Sequence, residues 1–262
     1  LAVRKLYSRL PVFWKYNNLL KELVIRDIKV RYRKSVLGLL WTLLYPLLTM
    51  IITTIVFSSL FKTLPNYAVY FLSGSILFSF NTEATTSAAM SIVGNAGLMK
   101  KVYIPKYLFP LSRVLSSLVN LAFAFVALLL VMLVTGAPFK PTLFLSFIPI
   151  LYLIIFTTGL SLLLSALTVY FRDVNSLYGV LALLWTYMTP IFYPISIIQD
   201  KYSWIYEWNP MYYYIDYFRS LVLEGVMPGA VPNLICLLCG IVSLVIGGFI
   251  FNRTQNRFVL YM

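Results

Sequence analysis

From residue 35 to residue 61 the chain carries no charged side chain, and this run begins where a strongly basic segment stops. At 1.5 Å per residue a helix of that length crosses a hydrocarbon core of roughly 30 Å with some tilt, which commits the region to a membrane. Pro46 lies inside the run, removes one backbone donor and is expected to bend the helix. The basic segment before it holds Arg26, Lys29, Arg31, Arg33 and Lys34 against the single acid Asp27. Helical spacing puts Glu22, Arg26, Lys29 and Arg33 on one face and Leu20, Leu23, Val24 and Ile28 on the other. Such a helix is expected in the interfacial plane, with its apolar side toward acyl chains and its cations toward phosphate. Two roles fit those cations: anchoring the cytoplasmic end of the first span, or gripping an anionic lipid-linked substrate.

The remaining residues are apolar enough to follow the first span into the bilayer. Of 262 residues 61% are hydrophobic and 11% are charged, a balance that a soluble domain of this size does not need. The expectation is an all-α integral membrane protein: an amphipathic cytoplasmic or interfacial segment over residues 1–34, then one membrane domain over 35–262. Residues 1–18 lack the continuous apolar core and cleavage site of a signal peptide and read as a second interfacial helix, begun or kinked at Pro11.

Hydropathy and charge predict six spans. The first is 35–61. The second, 67–94, is the most polar, with Ser73, Ser75, Ser79, Asn81, Thr82, Glu83, Thr85, Thr86, Ser87 and Ser91; such a helix should face protein or water and be central. Residues 95–113 form a basic loop, followed by spans at 114–134, 142–170, 176–198 and 232–251. Pro190 and Pro194 are expected to break the outer end of the fifth. With both termini cytoplasmic, only Lys62, Lys140, Lys201 and Arg219 of the 21 Lys and Arg residues fall outside, as the positive-inside tendency requires. A net charge of +13 would otherwise suit nucleic acid, but here the cations set orientation, and nucleic acid is excluded as a partner. Between spans five and six, residues 200–224 are crowded with Tyr and Trp. Asn209-Pro210 divides them into two short helices that dip into the membrane and return, either as an aromatic belt or as an outer gate whose rings stack on sugar.

Several chemistries are absent. There is no G-x-x-x-x-G-K-[ST], so the chain does not cradle ATP by a P-loop, and there is no histidine to serve as general base or metal ligand. Cys236 and Cys239 form a lone C-x-x-C inside an apolar span and read as core thiols. Glu83 is the one acid inside a span, so it is neutral, paired or facing a wet cavity; a coupling-ion site would make the chain a carrier. Asp27 and Arg31 stand four apart in the favourable order for a helical ion pair.

The order of IRDIKVRYRKSVLGLLW with Pro46, NAGLMKKVYIPKYLFPLS after span two, YFRDV at 170–174, PIFYP at 190–194 and NP at 209–210 resembles the permease of ABC exporters that move lipid-linked polysaccharides, the O-antigen and teichoic acid export group. Tyr45 stands before the span-one proline, where members of that group often carry Asn. The resemblance implies a homodimer of six-span subunits in the bacterial cytoplasmic membrane, with a pore along the dimer axis. Each subunit would bind a separate cytoplasmic ATPase that holds ATP and Mg, this chain having no cofactor of its own. It makes residues 97–106 a coupling helix, through Gly97, Leu98, Lys100, Lys101, Ile104 and Pro105, with Arg172 and Asp173 as a smaller second contact. Arg26, Lys29, Arg31, Arg33 and Lys34 would meet the diphosphate of a polyprenyl carrier, where guanidinium forks engage phosphate oxygens in pairs. Tyr45, Glu83, Trp185, Tyr193, Trp204, Trp208 and Tyr213 would line the pore or its gate. An exporter of a drug or small lipid, or an ion-coupled carrier using Glu83, are the competing expectations.

Overall fold

The computed structural model describes residues 16–33, 35–61, 64–102, 104–198 and 202–261, and every regular element among them is helical. Helix α1 is Asn17–Tyr32, α2 Leu40–Phe57, α3 Tyr67–Ala89, and the short α4 and α5 are Ser91–Gly94 and Ala96–Lys101. Helix α6 is Leu108–Val134 and α7 is Phe147–Tyr170, entered through a 3-10 turn at Pro141–Ser146. Helix α8 is Val174–Met188, α9 Trp204–Glu207, α10 Pro210–Arg219 with a π turn at Ser220–Glu224, and α11 Ala230–Thr254, which runs into a 3-10 tail at Gln255–Leu260. Lys34 and residues 1–15 lie outside the described residues.

Among the described residues four stretches are long and apolar enough to cross a membrane: Leu40–Phe57, Leu108–Val134, Pro141–Tyr170 and Ala230–Phe258. The other two expected spans differ for separate reasons. Helix α3 has 23 residues but is diluted by hydroxyls and Glu83. Helix α8 has 15 residues and stops at Met188, because the residue before a proline is driven out of the helical region; Thr189 is extended, with φ −97° and ψ 130°. Boundaries shift elsewhere too. The first span begins at Leu40 rather than at residue 35, and the second is interrupted after Ala89. Helix α6 starts five residues before Arg113, inside what reads as a loop, with Pro110 in its first turn where a missing N–H costs nothing.

Helix α3 is the centre of the bundle, as its polarity predicts. It packs against α2, α6, α7, α8 and α10 and buries residues on most of its circumference, from Val69 and Leu72 to Ala84 and Ala88. Its buried amide Asn81 accepts a hydrogen bond from Thr157 on α7 at 2.9 Å, and Thr85 meets the Tyr178 hydroxyl on α8 at 2.7 Å. Helices α7 and α11 form the tightest pair. A Cβ on Gly247 would come within 1.9 Å of the Gly159 carbonyl oxygen, so the backbones touch where glycines face each other. A second apolar cluster, of Leu20, Leu23, Ile92, Ile104, Leu108, Phe109, Phe251 and Phe258, ties α1, the 102–108 connection and the tail together at one end. Leu20 and Leu23 of the α1 apolar stripe therefore pack against protein. Helix α2 stands on the flank, with Leu48, Ile51, Ile52, Ile55 and Val56 exposed.

Candidate functional site

Helices α2, α3, α6 and α8 enclose an elongated cleft of about 1050 Å³. One face of α3 supplies its floor: Phe71, Ser75, Ser79, Thr82, Glu83, Thr86 and Ser87 recur at intervals that return to the same side of a helix. Helix α2 supplies Tyr45, Pro46, Thr49 and Thr53, and α6 supplies Asn120, Leu121 and Ala124. Several of the hydroxyls are held by their own helices. Thr49 donates to the Tyr45 carbonyl at 2.9 Å, Thr53 to the Thr49 carbonyl at 2.7 Å, and Ser87 to the Glu83 carbonyl at 2.7 Å. Each proton is thereby spent locally while the oxygen keeps acceptor capacity, so the cleft presents acceptors and aromatic faces on an apolar frame.

At one end of the cleft the acid inside α3 finds its partner. Arg31, from the last turn of α1, forms an ion pair with Glu83, and Asn120 donates to the same carboxylate oxygen at 2.7 Å. The Tyr32 hydroxyl reaches Asn120 at 3.5 Å. Burial works against the Arg31 charge, but the adjoining carboxylate outweighs it and its pKa is raised. Glu83 is thus both paired and cleft-facing. The expected Asp27–Arg31 pair does not form. Asp27 shares the inward stripe with Leu20 and Leu23, is 7% exposed, and pairs with Arg113 on α6 at 3.3 Å and with Arg26 at 3.1 Å. Arg26 also donates to Asn95 at 3.2 Å. Of the elbow cations, Arg26 and Arg31 are engaged internally, whereas Lys29 and Arg33 are exposed.

The segment expected to couple to a partner lies at the same end. Gly97, Lys100, Lys101 and Val102 are exposed, Leu98 and Pro105 are half-buried, and Ile104 is 8% exposed, packed into its own chain's second cluster. Lys106 donates to the Gln255 carbonyl at 2.5 Å and lies 5.7 Å from the centre of the Phe258 ring, and burial lowers its pKa. The Tyr170 hydroxyl donates to the Thr254 carbonyl at 3.1 Å, with its ring 6.1 Å from Phe258. Arg172 and Asp173 follow directly and are exposed, so Tyr170, Phe258 and Lys106 connect the two expected contacts.

The aromatic residues divide. Tyr45, 65% exposed, lines the cleft. Trp185 does not; its ring lies 5.9 Å from Phe78 and 6.3 Å from Phe156, and its indole donates to Asn209 at 2.7 Å, which fixes the start of α10 against α8. The same asparagine caps Met211 at 3.1 Å and donates to Thr189 at 2.8 Å, so the break at Asn209-Pro210 is built as the dipeptide predicts. Tyr213 donates to the Glu207 carbonyl at 2.9 Å and joins α9 to α10, while Tyr193 donates to the Tyr187 carbonyl at 2.6 Å. Trp204 and Trp208 are exposed. Three residues that the sequence reading passed over matter here. Asn120 is a lone amide in an apolar helix, a signal available in the sequence; Ile191 and Phe192, which lie within the PIFYP motif but were given no role there, line the far end of the cleft.

The family model described as ABC-2 type transporter matches residues 18–223. The chain is 32% identical over 263 residues to the O-antigen export system permease protein RfbA of Myxococcus xanthus, covering 98% of this chain and 97% of the relative. It is 31% identical over 253 residues to the protein of the same name from Klebsiella pneumoniae, with 93% and 96% covered. It is also 24% identical over 242 residues to the polysialic acid transport protein KpsM of Escherichia coli, with 91% and 93% covered.

Proposed function

This chain belongs to the ABC-2 type transporter family, and on that premise we propose that it passes a polyprenyl-diphosphate-linked cell-surface polysaccharide, of O-antigen or teichoic acid type, across the bacterial cytoplasmic membrane. It is a multi-pass membrane subunit of a transporter and not an enzyme. The observation that carries the cargo reading is the cleft: it presents hydroxyl acceptors and aromatic faces along its length and ends beside the guanidinium of Arg31. A glycan offers hydroxyl donors and apolar ring faces to such a surface, and a diphosphate suits the guanidinium fork. An entering diphosphate would compete with Glu83 for Arg31. That pairing also leaves Glu83 poorly placed as a solitary proton site, which disfavours an ion-coupled carrier.

Six spans with both ends cytoplasmic fit this mechanism, α3 and α8 completing the set of four long apolar stretches, with α9 and α10 as re-entrant helices. A second copy of the chain would cover the exposed apolar flanks of α2 and α8 beside the cleft. The exposed edge at Gly97, Lys100 and Lys101 would receive the ATPase, with Arg172 and Asp173 nearby, so that ATP-driven closure is felt by α1 and α6 through the second apolar cluster. Ile104 would transmit that push from inside rather than touch the partner. The test is purification in mild detergent with whatever ATPase remains bound, then reconstitution with lipid-linked glycan. ATP-dependent appearance of glycan in the opposite compartment is expected. A complex that hydrolyses ATP but moves no glycan would sink the cargo, and a chain that retains no ATPase would sink the coupling.

A further inference from the structure

Between the end of α8 and Pro194 the chain is not helical, yet four successive carbonyls, Pro190 to Tyr193, all accept side-chain hydrogen bonds. Arg219 donates from Nη1 to the Pro190 carbonyl at 2.7 Å and from Nη2 to the Ile191 carbonyl at 3.3 Å. Tyr67 donates to the Phe192 carbonyl at 2.8 Å, and Tyr70 to the Tyr193 carbonyl at 3.0 Å. In a bilayer, non-helical backbone persists only where its polar groups are satisfied by protein in this way.

Arg219 is the centre of the arrangement. It is 7% exposed and forms no ion pair among the described residues. Its remaining contacts reach α3: Nη2 to the Tyr70 carbonyl at 3.1 Å, Nε to the Ser73 hydroxyl at 3.4 Å, and the guanidinium carbon 3.6 Å from the centre of the Tyr70 ring. Room for it exists because residue 74 is glycine; a Cβ there would lie 2.7 Å from Nη2. A buried cation without a carboxylate is costly, and a lysine has no planar fork to serve carbonyls on two segments at once. The guanidinium therefore joins α10, the start of α3 and the segment after α8. Two residues of that last segment, Ile191 and Phe192, line the cleft at the end remote from Arg31, where Phe192 packs 5.5 Å from Phe71 and 6.3 Å from Phe57.

We propose that Arg219 is a positioning residue for transport: by holding the Pro190 and Ile191 carbonyls it keeps Ile191 and Phe192 across the far end of the cleft, sealing it to small solutes between cycles. The proposal rests on the reading of the cleft as the cargo path. Movement of α10 opens the seal by carrying the guanidinium away from the Pro190 and Ile191 carbonyls, while Tyr67 and Tyr70 of α3 hold the Phe192 and Tyr193 carbonyls beside them.

The experiment uses the permease reconstituted with its ATPase in liposomes loaded with radiolabelled sucrose and held without ATP. Arg219→Gln should raise sucrose efflux about tenfold, through loss of the charge-assisted carbonyl bonds, and Arg219→Lys should raise it less. Tyr67→Phe combined with Tyr70→Phe keeps both rings, removes the other two donors and should also raise efflux; it decides alone if the Arg219 variants do not assemble. Tyr217→Phe, which deletes a buried hydroxyl that has no hydrogen-bond partner among the described residues, should leave efflux unchanged. Assembled variants as tight to sucrose as the parent overturn the proposal, even where the parent exports glycan. A parent that exports no glycan but leaks on Arg219→Gln would refute the cargo reading and leave the seal standing.

Discussion

Gly247→Ala should destabilise the bundle far more than its size suggests. The added Cβ would sit 1.9 Å from the Gly159 carbonyl oxygen, whereas ordinary contact needs about 3.4 Å, and the obstacle is backbone that cannot rotate away. Helices α7 and α11 must separate, and the separation is felt along the seam. Gly159 itself faces the Ser243 backbone, Gly240 faces the Tyr152 carbonyl, and the Ser243 hydroxyl donates to the Phe156 carbonyl at 2.8 Å. Overpacking of this kind costs about 1–3 kcal/mol, and weakening the Ser243 bond adds about 1 kcal/mol, so a loss of about 2–4 kcal/mol is expected. The control lies one residue away: a Cβ on Gly248 meets nothing within 4 Å, so Gly248→Ala should be neutral or slightly stabilising through helix propensity. Reversible unfolding of the detergent-purified chain against a denaturing detergent would measure both variants. Equal stabilities would refute the claim that the α7–α11 pair depends on backbone contact at this glycine.

Three other perturbations test the arrangement at the Arg31 end of the cleft. Asp27→Asn should cost about 3 kcal/mol in the same unfolding assay by leaving Arg113 half-buried without its anion, and adding Arg113→Gln should cost less than the two single changes together. Glu83→Gln should free Arg31, raising retention of a polyprenyl diphosphate several-fold in native mass spectrometry of the complex; unchanged retention would remove Glu83 as the competitor. Phe258→Ala should empty a fully buried site against Tyr170 and Phe251, costing about 3 kcal/mol, and should loosen the Lys106 contact enough to lower glycan-stimulated ATP hydrolysis. Wild-type stimulation in a destabilised Phe258→Ala complex would show that the tail does not position the 97–106 segment.

The membrane class, the helical fold, the central place of α3 and the breaks near Pro190 and at Asn209-Pro210 were legible in the sequence. Each depends on properties that neighbouring residues carry together: hydropathy over a span, polarity of one helix, or the backbone limits of proline. The fine structure of the cleft was only half legible. Tyr45 and Glu83 were named and do line it, but Trp185 braces α8 against α10, and Ile104 packs inward. Charge partners were the least legible. Helical spacing offered Arg31 to Asp27, yet Arg31 meets Glu83, 52 residues away, and Asp27 meets Arg113 across a helix interface. Span order groups Arg219 with the outer cations but says nothing of its partners; it is buried beneath Tyr70 against carbonyls from another segment. A span is set by the transfer free energy of its own residues, which the order of amino acids fixes. Which cation meets which oxygen is set by how far helices rotate and slide against one another, and only the packed bundle decides that.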